Sequence, residues 1–277
     1  MPGGIDHIVI LVTDLAQASA DYARLGFTVT PGGEHTGGAT HNALIAFADG
    51  TYFELIAFKG PNPPAQHRWG ARLAQGEGLI DYAMRSTDVA ADLAAITSRG
   101  LPTYGPIDMG RVRPDGERIA WRIGGASMPG RTGGQAALPF MIEDVTSRPL
   151  RVPGDDAMRH ALGVTCVAGL TLVVGDLAQS AAALAALLDV EGEAVPSSIA
   201  GAGMATRFPI DAQWLELVQP TDAASALGQY LHVRGEGPYE VIVSADQAAE
   251  PGSGKVLSLE TAHGARIRAP QETVMSS

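Results

Sequence analysis

The 277-residue chain has a single cysteine. Cys166 can form no internal disulfide, which suits a reducing, cytoplasmic compartment. It stands in the apolar stretch Val164-Thr165-Cys166-Val167-Ala168, the setting of an inert buried thiol rather than a nucleophile. Lysine is nearly absent, occurring at 59 and 255, and no Lys/Arg cluster offsets a net charge of −11. An acidic surface without a basic patch makes nucleic acid and anionic membrane poor partners. No apolar run reaches the roughly 18–20 residues of a membrane span. Met1-Pro2-Gly3-Gly4-Ile5-Asp6-His7 has neither a basic n-region nor an apolar h-region, so no signal peptide is expected. Gly32, Gly33, Gly37 and Gly38 are not followed by Gly-Lys-Ser/Thr and a helix, which argues against a nucleotide cofactor. No nucleophile elbow supports a hydrolase triad. What is present is an ordinary globular composition, 45% hydrophobic, long enough for one large domain or two small ones.

The main positive signal is an internal repeat. Leu11-Val12-Thr13-Asp14-Leu15-Ala16-Gln17 returns as Val173-Val174-Gly175-Asp176-Leu177-Ala178-Gln179, and Tyr52-Phe53-Glu54-Leu55 returns as Trp214-Leu215-Glu216-Leu217. Both pairs have one offset, 176 − 14 = 216 − 54 = 162, which points to duplicated units. In each unit a strand with alternating apolar residues precedes an aspartate N-cap, an alanine-rich helix closed by glycine, and three more strands, with Asp49-Gly50 as a tight hairpin dipeptide. The expected fold is α+β, built of repeated βαβββ modules whose curved mixed sheets carry helices outside and enclose a cup. Modules 1 and 2 make a first unit over 1–146. Residues 147–164 are the expected linker, and 165–277 hold module 3 and a degenerate module 4 whose helix is interrupted at Pro251-Gly252-Ser253-Gly254.

Strand alternation sends Ile8, Ile10 and Val12 to one face and His7 to the other, toward the cup. Glu54, bracketed by Phe53 and Leu55, is expected to face the same way. An imidazole and a carboxylate in one hollow form a metal half-site, an acid/base pair, or a hydrogen bond tying two strands. His35, His41 and Asn42 lie in and after the glycine-rich stretch and are expected at the cup's rim as substrate-binding groups. Trp121 and Arg122 follow the Pro114-Asp115-Gly116 turn and point to opposite faces, so one of them lines the cup: the indole as apolar wall, or the guanidinium as an anion partner.

Asp6-His7-Ile8-Val9-Ile10 with Tyr52-Phe53-Glu54-Leu55 resembles the first-strand histidine and fourth-strand glutamate of vicinal-oxygen-chelate enzymes. Gly33-Glu34-His35-Thr36-Gly37-Gly38-Ala39-Thr40-His41-Asn42 and Leu138-Pro139-Phe140-Met141-Ile142-Glu143 look like the glyoxalase-like subfamily of longer, double-unit chains. The resemblance implies a divalent ion (manganese, magnesium, iron, nickel or zinc) drawn from two paired modules. Aligning Asp88 on Asp14 sets Asp81 against His7, with Met141 or Glu143 against Glu54, so His7, Glu54, Asp81 and Glu143 are the expected ligands. Gly169 and Tyr239 take the place of His7 in modules 3 and 4, which argues against ring-cleaving dioxygenase chemistry. The expectation is a metal-assisted lyase or isomerase acting on a small oxygenated metabolite, with Glu54 or His41 moving the proton. The alternative is a metal-free binding protein of the same fold. Either is expected as a monomer or homodimer.

Overall fold

Three aspartates start three helices. The Asp14 carboxylate accepts from the backbone N–H of Ala16 and Gln17, Asp88 from Ala91, and Asp176 from Gln179, satisfying donors that the first helical turn leaves free. The computed structural model describes residues 2–60, 67–128, 137–245 and 249–270. In chain order it contains β1 (Ile5–Leu11), α1 (Leu15–Arg24), β2 (Thr30–His35), β3 (Thr40–Ala46) and β4 (Tyr52–Phe58), the first βαβββ module. A short α2 (Gly70–Leu73) leads to the second: β5 (Gly78–Arg85), α3 (Val89–Ser98), β6 (Thr103–Val112), β7 (Arg118–Ala126) and β8 (Phe140–Asp144). The segment after β8 carries α4 (Arg148–Arg151) and a 3-10 turn (Asp155–Met158). Then follow β9 (Cys166–Val173), α5 (Leu177–Leu188), β10 (Glu193–Pro196), β11 (Ala202–Ile210), β12 (Gln213–Pro220), α6 (Ala226–Arg234), β13 (Gly237–Ser244), β14 (Lys255–Val256) and β15 (Ile267–Ala269). Among the described residues, no helix is long and apolar enough to cross a membrane.

The first two modules close on each other. Their strands form one barrel in the order β1-β4-β3-β2-β6-β7-β8-β5, so the expected cup is the inside of a closed sheet. The last seam joins β2 to β6, pairing Glu34 with Val112 and His35 with Arg111. Gly33 makes that seam possible. Its φ is +131°, and a Cβ there would sit 2.0 Å from the Val112 carbonyl oxygen, an approach open to glycine alone.

The second half is an open seven-stranded sheet, β10-β11-β12-β9-β13-β15-β14. It repeats the barrel's register at the offset read from the sequence. His7 and Val9 of β1 pair with Tyr52 and Glu54 of β4. Gly169 and Thr171 of β9 pair with Trp214 and Glu216 of β12. No helix is described between β13 and β14.

Outward-facing Ile8 and Ile10 of β1, Tyr22 of α1, Ile96 of α3, Leu184 of α5 and Leu170 of β9 all belong to one buried apolar cluster running through both halves. A separate apolar cluster, including Val9, Leu11, Ile56, Ile80 and Trp121, fills the barrel's interior. β1, β3, β4 and β5 are therefore buried on both faces, and the polar residues that interrupt their inner face stand out.

Candidate functional site

Alternation along three neighbouring strands brings the inner polar residues together. On β1 it is His7, on β3 Thr40 and Asn42, and on β4 Tyr52 and Glu54; all line one cavity of about 210 Å³. His35, at the end of β2, lines it too, rather than standing in a loop. Apolar side chains form the opposite wall, with Trp121 and Ile123 from β7, Phe140 and Ile142 from β8, and Met109 from β6.

Glu54 is the centre of the polar group and is 6% exposed. Its Oε1 accepts from Asn42 Nδ2 at 2.6 Å and lies 3.3 Å from His35 Nε2, while its Oε2 lies 3.6 Å from His7 Nε2. Burial alone pushes the Glu54 carboxyl up, but the hydrogen bond and charge of His35, with His7 and Asn42, outweigh it and bring it down to about 2. Glu54 is thus a fixed anion across the neutral range.

His7 is held from behind. Its Nδ1 lies 2.8 Å from Asp6 Oδ1, and its ring stacks on Tyr52 with centroids 4.6 Å apart. Asp6 is fully buried, which on its own raises its pKa. Arg151 reverses that: its Nη1 and Nη2 donate to the two Asp6 oxygens at 2.9 and 3.1 Å, and with His7 it holds the Asp6 carboxyl well below the usual range; Arg148 donates to Asp6 as well. Arg151 also donates to the Tyr52 hydroxyl at 2.7 Å and to Asp144 at 2.5 and 2.9 Å. An ionised Asp6 only accepts, so His7 Nδ1 is the donor in that bond, and Nε2 is the ring atom turned to Glu54 and the cavity. His35 Nδ1 is 3.0 Å from Thr40 Oγ1.

Other residues expected at the site lie elsewhere. His41 is on β3 between Thr40 and Asn42, so alternation turns it outward; it lines a shallow groove with Leu15 and Ala16 beside α1. His41 is neither a proton-transfer nor a substrate group of this cavity. Glu143 is also outside, accepting from Val89 N at the start of α3 and from Arg122. Arg122 is exposed and pairs with Asp108 and Glu143; of the Trp121-Arg122 pair, Trp121 is the cavity residue. Asp81 is buried next to the cavity, but its Oδ2 takes Arg68 Nη2 at 2.5 Å and Trp69 Nε1 at 2.8 Å, and its Oδ1 takes Tyr82 N at 2.9 Å.

The model of the Glyoxalase-like domain matches residues 5–188, spanning the barrel, α5 and the segment between them. The chain belongs to the Glyoxalase-like domain family. Solved structures share its fold. A hypothetical protein from Staphylococcus aureus superposes with a TM-score of 0.71 at 16% identity, covering 97% of this chain and 99% of that one. A triple variant of 4-hydroxymandelate synthase from Streptomyces coelicolor has a TM-score of 0.60 at 14% identity, over 88% of this chain and 71% of that one. A xylose isomerase-like TIM barrel/4-hydroxyphenylpyruvate dioxygenase fusion protein has a TM-score of 0.54 at 16% identity, over 88% of this chain and 36% of that one. No curated protein matches the chain.

Members of the wider vicinal-oxygen-chelate superfamily commonly hold a divalent metal, and this Glyoxalase-like barrel does not offer the expected four ligands. Ala83 pairs with Phe140 on β5 and β8 as Val9 pairs with Glu54 on β1 and β4. The counterpart of Glu54 in module 2 is therefore Phe140, not Met141 or Glu143. Phe140 lies edge-on to His7 at 5.4 Å between centroids. Asp81 is spent on Arg68, and Glu143 is outside. His7, His35 and Glu54 remain, turned onto one another. Among the described residues, no three His, Cys, Asp or Glu groups are placed to hold a metal ion.

The Glyoxalase-like cavity uses residues that sequence reasoning passed over: Asp6, Tyr52, Arg68, Arg111 and Arg151. Asp6 precedes His7 and had a local signal, since a carboxylate next to a strand histidine can hold its ring. The arginines had none, because each enters from a distant stretch of chain.

Proposed function

We propose that the chain is an enzyme of the lyase or isomerase type that moves a proton on a small oxygenated molecule held in the barrel. The observation that carries this reading is the paired imidazoles on one buried, ionised carboxylate. His7 Nε2 is the base. A proton taken there forms an imidazolium that lies between the Asp6 and Glu54 carboxylates. Glu54, held ionised, orients His35 so that its Nε2–H donates; with a substrate present, that donor serves an oxygen as negative charge develops on it. Tyr52 and Phe140 keep the His7 ring in place. No step calls on a metal ion, because the donors that the superfamily uses are replaced by an Asp81–Arg68 pair and by Phe140.

The cavity is small beside the roughly 300–1,000 Å³ of drug-sized pockets, which suits a metabolite of few atoms. The test is solvent-deuterium incorporation into a panel of small 2-hydroxy and 2-oxo compounds, read by mass spectrometry. Native protein dialysed against chelator is expected to label at least one of them. His7→Ala, shown folded by circular dichroism, is expected to label it about 10²–10⁴-fold more slowly. Label entering equally fast with His7→Ala, or only after a metal is added back, overturns the reading. A second reading is favoured by the apolar wall of Trp121, Ile123 and Ile142: a protein that sequesters a small molecule without turnover. Tight binding of a panel member with no incorporation is its signature.

A further inference from the structure

Resting on the proton-transfer reading of the barrel, we infer that the molecule bound there is a small carboxylic acid whose carboxylate is held by Arg111. Arg111 is 5% exposed and lines the cavity. It is the cross-strand partner of His35 at the β2–β6 seam, and residues paired in this way present their side chains to the same face. Its guanidinium makes two hydrogen bonds, both to neutral acceptors: Nη1 to Asn42 Oδ1 at 3.3 Å and Nη2 to the Arg151 carbonyl at 2.7 Å. Its Nε is buried with no partner. Burial lowers its pKa, and the nearby Tyr52 and Glu54 do not make up the difference.

The other guanidiniums at this cavity are spoken for. Arg68 is bound to Asp81, and Arg151 to Asp6 and Asp144. Arg111 makes no ion pair with a carboxylate among the described residues. A buried cation without a carboxylate partner is costly by itself and is relieved by an anion beside it in the cavity. A carboxylate matches the planar fork of a guanidinium. A phosphate dianion would require further cationic donors, and those present are already committed. The rest of the ligand meets Trp121, Met109 and Ile123, so it has an apolar body.

The test is calorimetric titration of the full chain with phenylacetate and 3-methylbutanoate, each against its own neutral amide. At least one acid is expected to bind about tenfold or more tightly than its amide. Arg111→Met is expected to abolish that preference, acid and amide then binding alike. Arg111→Lys, which keeps the charge and loses the fork, is expected to retain part of it. Equal affinity for acid and amide, binding of neither, or a full preference in Arg111→Met overturns the inference; if Arg111→Met does not fold, an undiminished preference in Arg111→Lys does so. The two proposals fail separately. Acid preference without deuterium incorporation sinks the proton-transfer reading alone. Incorporation confined to uncharged compounds sinks the carboxylate inference alone.

Discussion

Glu54 and Asp6 are both buried, and both keep their negative charge because donors surround them, from neighbouring strands for Glu54 and from α4 and His7 for Asp6. That arrangement links stability to pH. The folded pKa of each lies below its ordinary value, 4.5 for Glu54 and 3.8 for Asp6, so each contributes stability that is fully present above that value. The contribution is lost as pH falls toward the folded pKa, about 2 for Glu54. Urea midpoints of the native chain are therefore expected to fall steeply between pH 4.5 and about 2. In Glu54→Gln, the same measurement should give a shallower fall, because one of the two groups no longer titrates. Equal slopes would mean that Glu54 is not held ionised by its neighbours. The same residue-scale logic separates His35 from His41. Six positions apart on neighbouring strands, one closes onto Glu54 and the other faces α1, and the pleat alone decides between them.

At the scale of elements, the alternating pattern of β1 and β4 made the inward aim of His7 and Glu54 legible, and the aspartate caps made α1, α3 and α5 legible. Both signals are local. The β5–β8 register was not legible, because it is fixed by barrel closure; the sequence offered Met141 or Glu143 opposite Glu54, and the pairing supplies Phe140. The stretch at 147–164 reads as a proline- and arginine-rich connection, yet α4 within it sends Arg151 onto Asp6. Replacing Arg151 with Ala leaves a buried carboxylate uncompensated, and the expected loss is about 3–5 kcal/mol in urea unfolding. Proton exchange should fall with it as His7 loses its backing. A loss below about 1 kcal/mol would place Arg151 among the weak surface-type pairs. β2 supplies another test. A Cβ at Gly32 would stand 2.0 Å from Asn42 Oδ1 and 3.0 Å from Arg111 Nη1. Gly32 has no left-handed backbone requirement, so Gly32→Ala acts through crowding alone. It is expected to cost about 1–3 kcal/mol and to weaken acid binding more than amide binding. Unchanged discrimination would separate Asn42 from the placement of Arg111.

Across the whole molecule, the duplication explains why the buried histidine and carboxylate meet in one half and not in the other. Where β1 has His7 stacked on Tyr52, β9 has Gly169 against Trp214, and a Cβ at Gly169 would stand 2.2 Å from the indole. The ring that supports the histidine in one copy fills the histidine's place in the other. Glu216, the repeat of Glu54, meets Arg207 Nη2 at 3.0 Å instead of imidazole. The second half instead braces the barrel. Ile5 N donates to Gln213 Oε1 at 2.7 Å, Arg234 Nη1 donates to the Glu77 carbonyl at 2.8 Å, and His263 lies within 3.0 Å of both Asp21 and Glu77. One apolar cluster runs through both halves, so neither half can open without exposing the other's core. Cys166, at the start of β9 and 1% exposed, reports on this. Its thiol should resist an aromatic disulfide reagent in the native chain. Under increasing urea its labelling midpoint should coincide with the far-ultraviolet circular dichroism transition, to which both halves contribute. Labelling that completes at lower urea, while the barrel remains folded, would show that the second sheet opens on its own and that the shared cluster does not bind the halves into one cooperative unit.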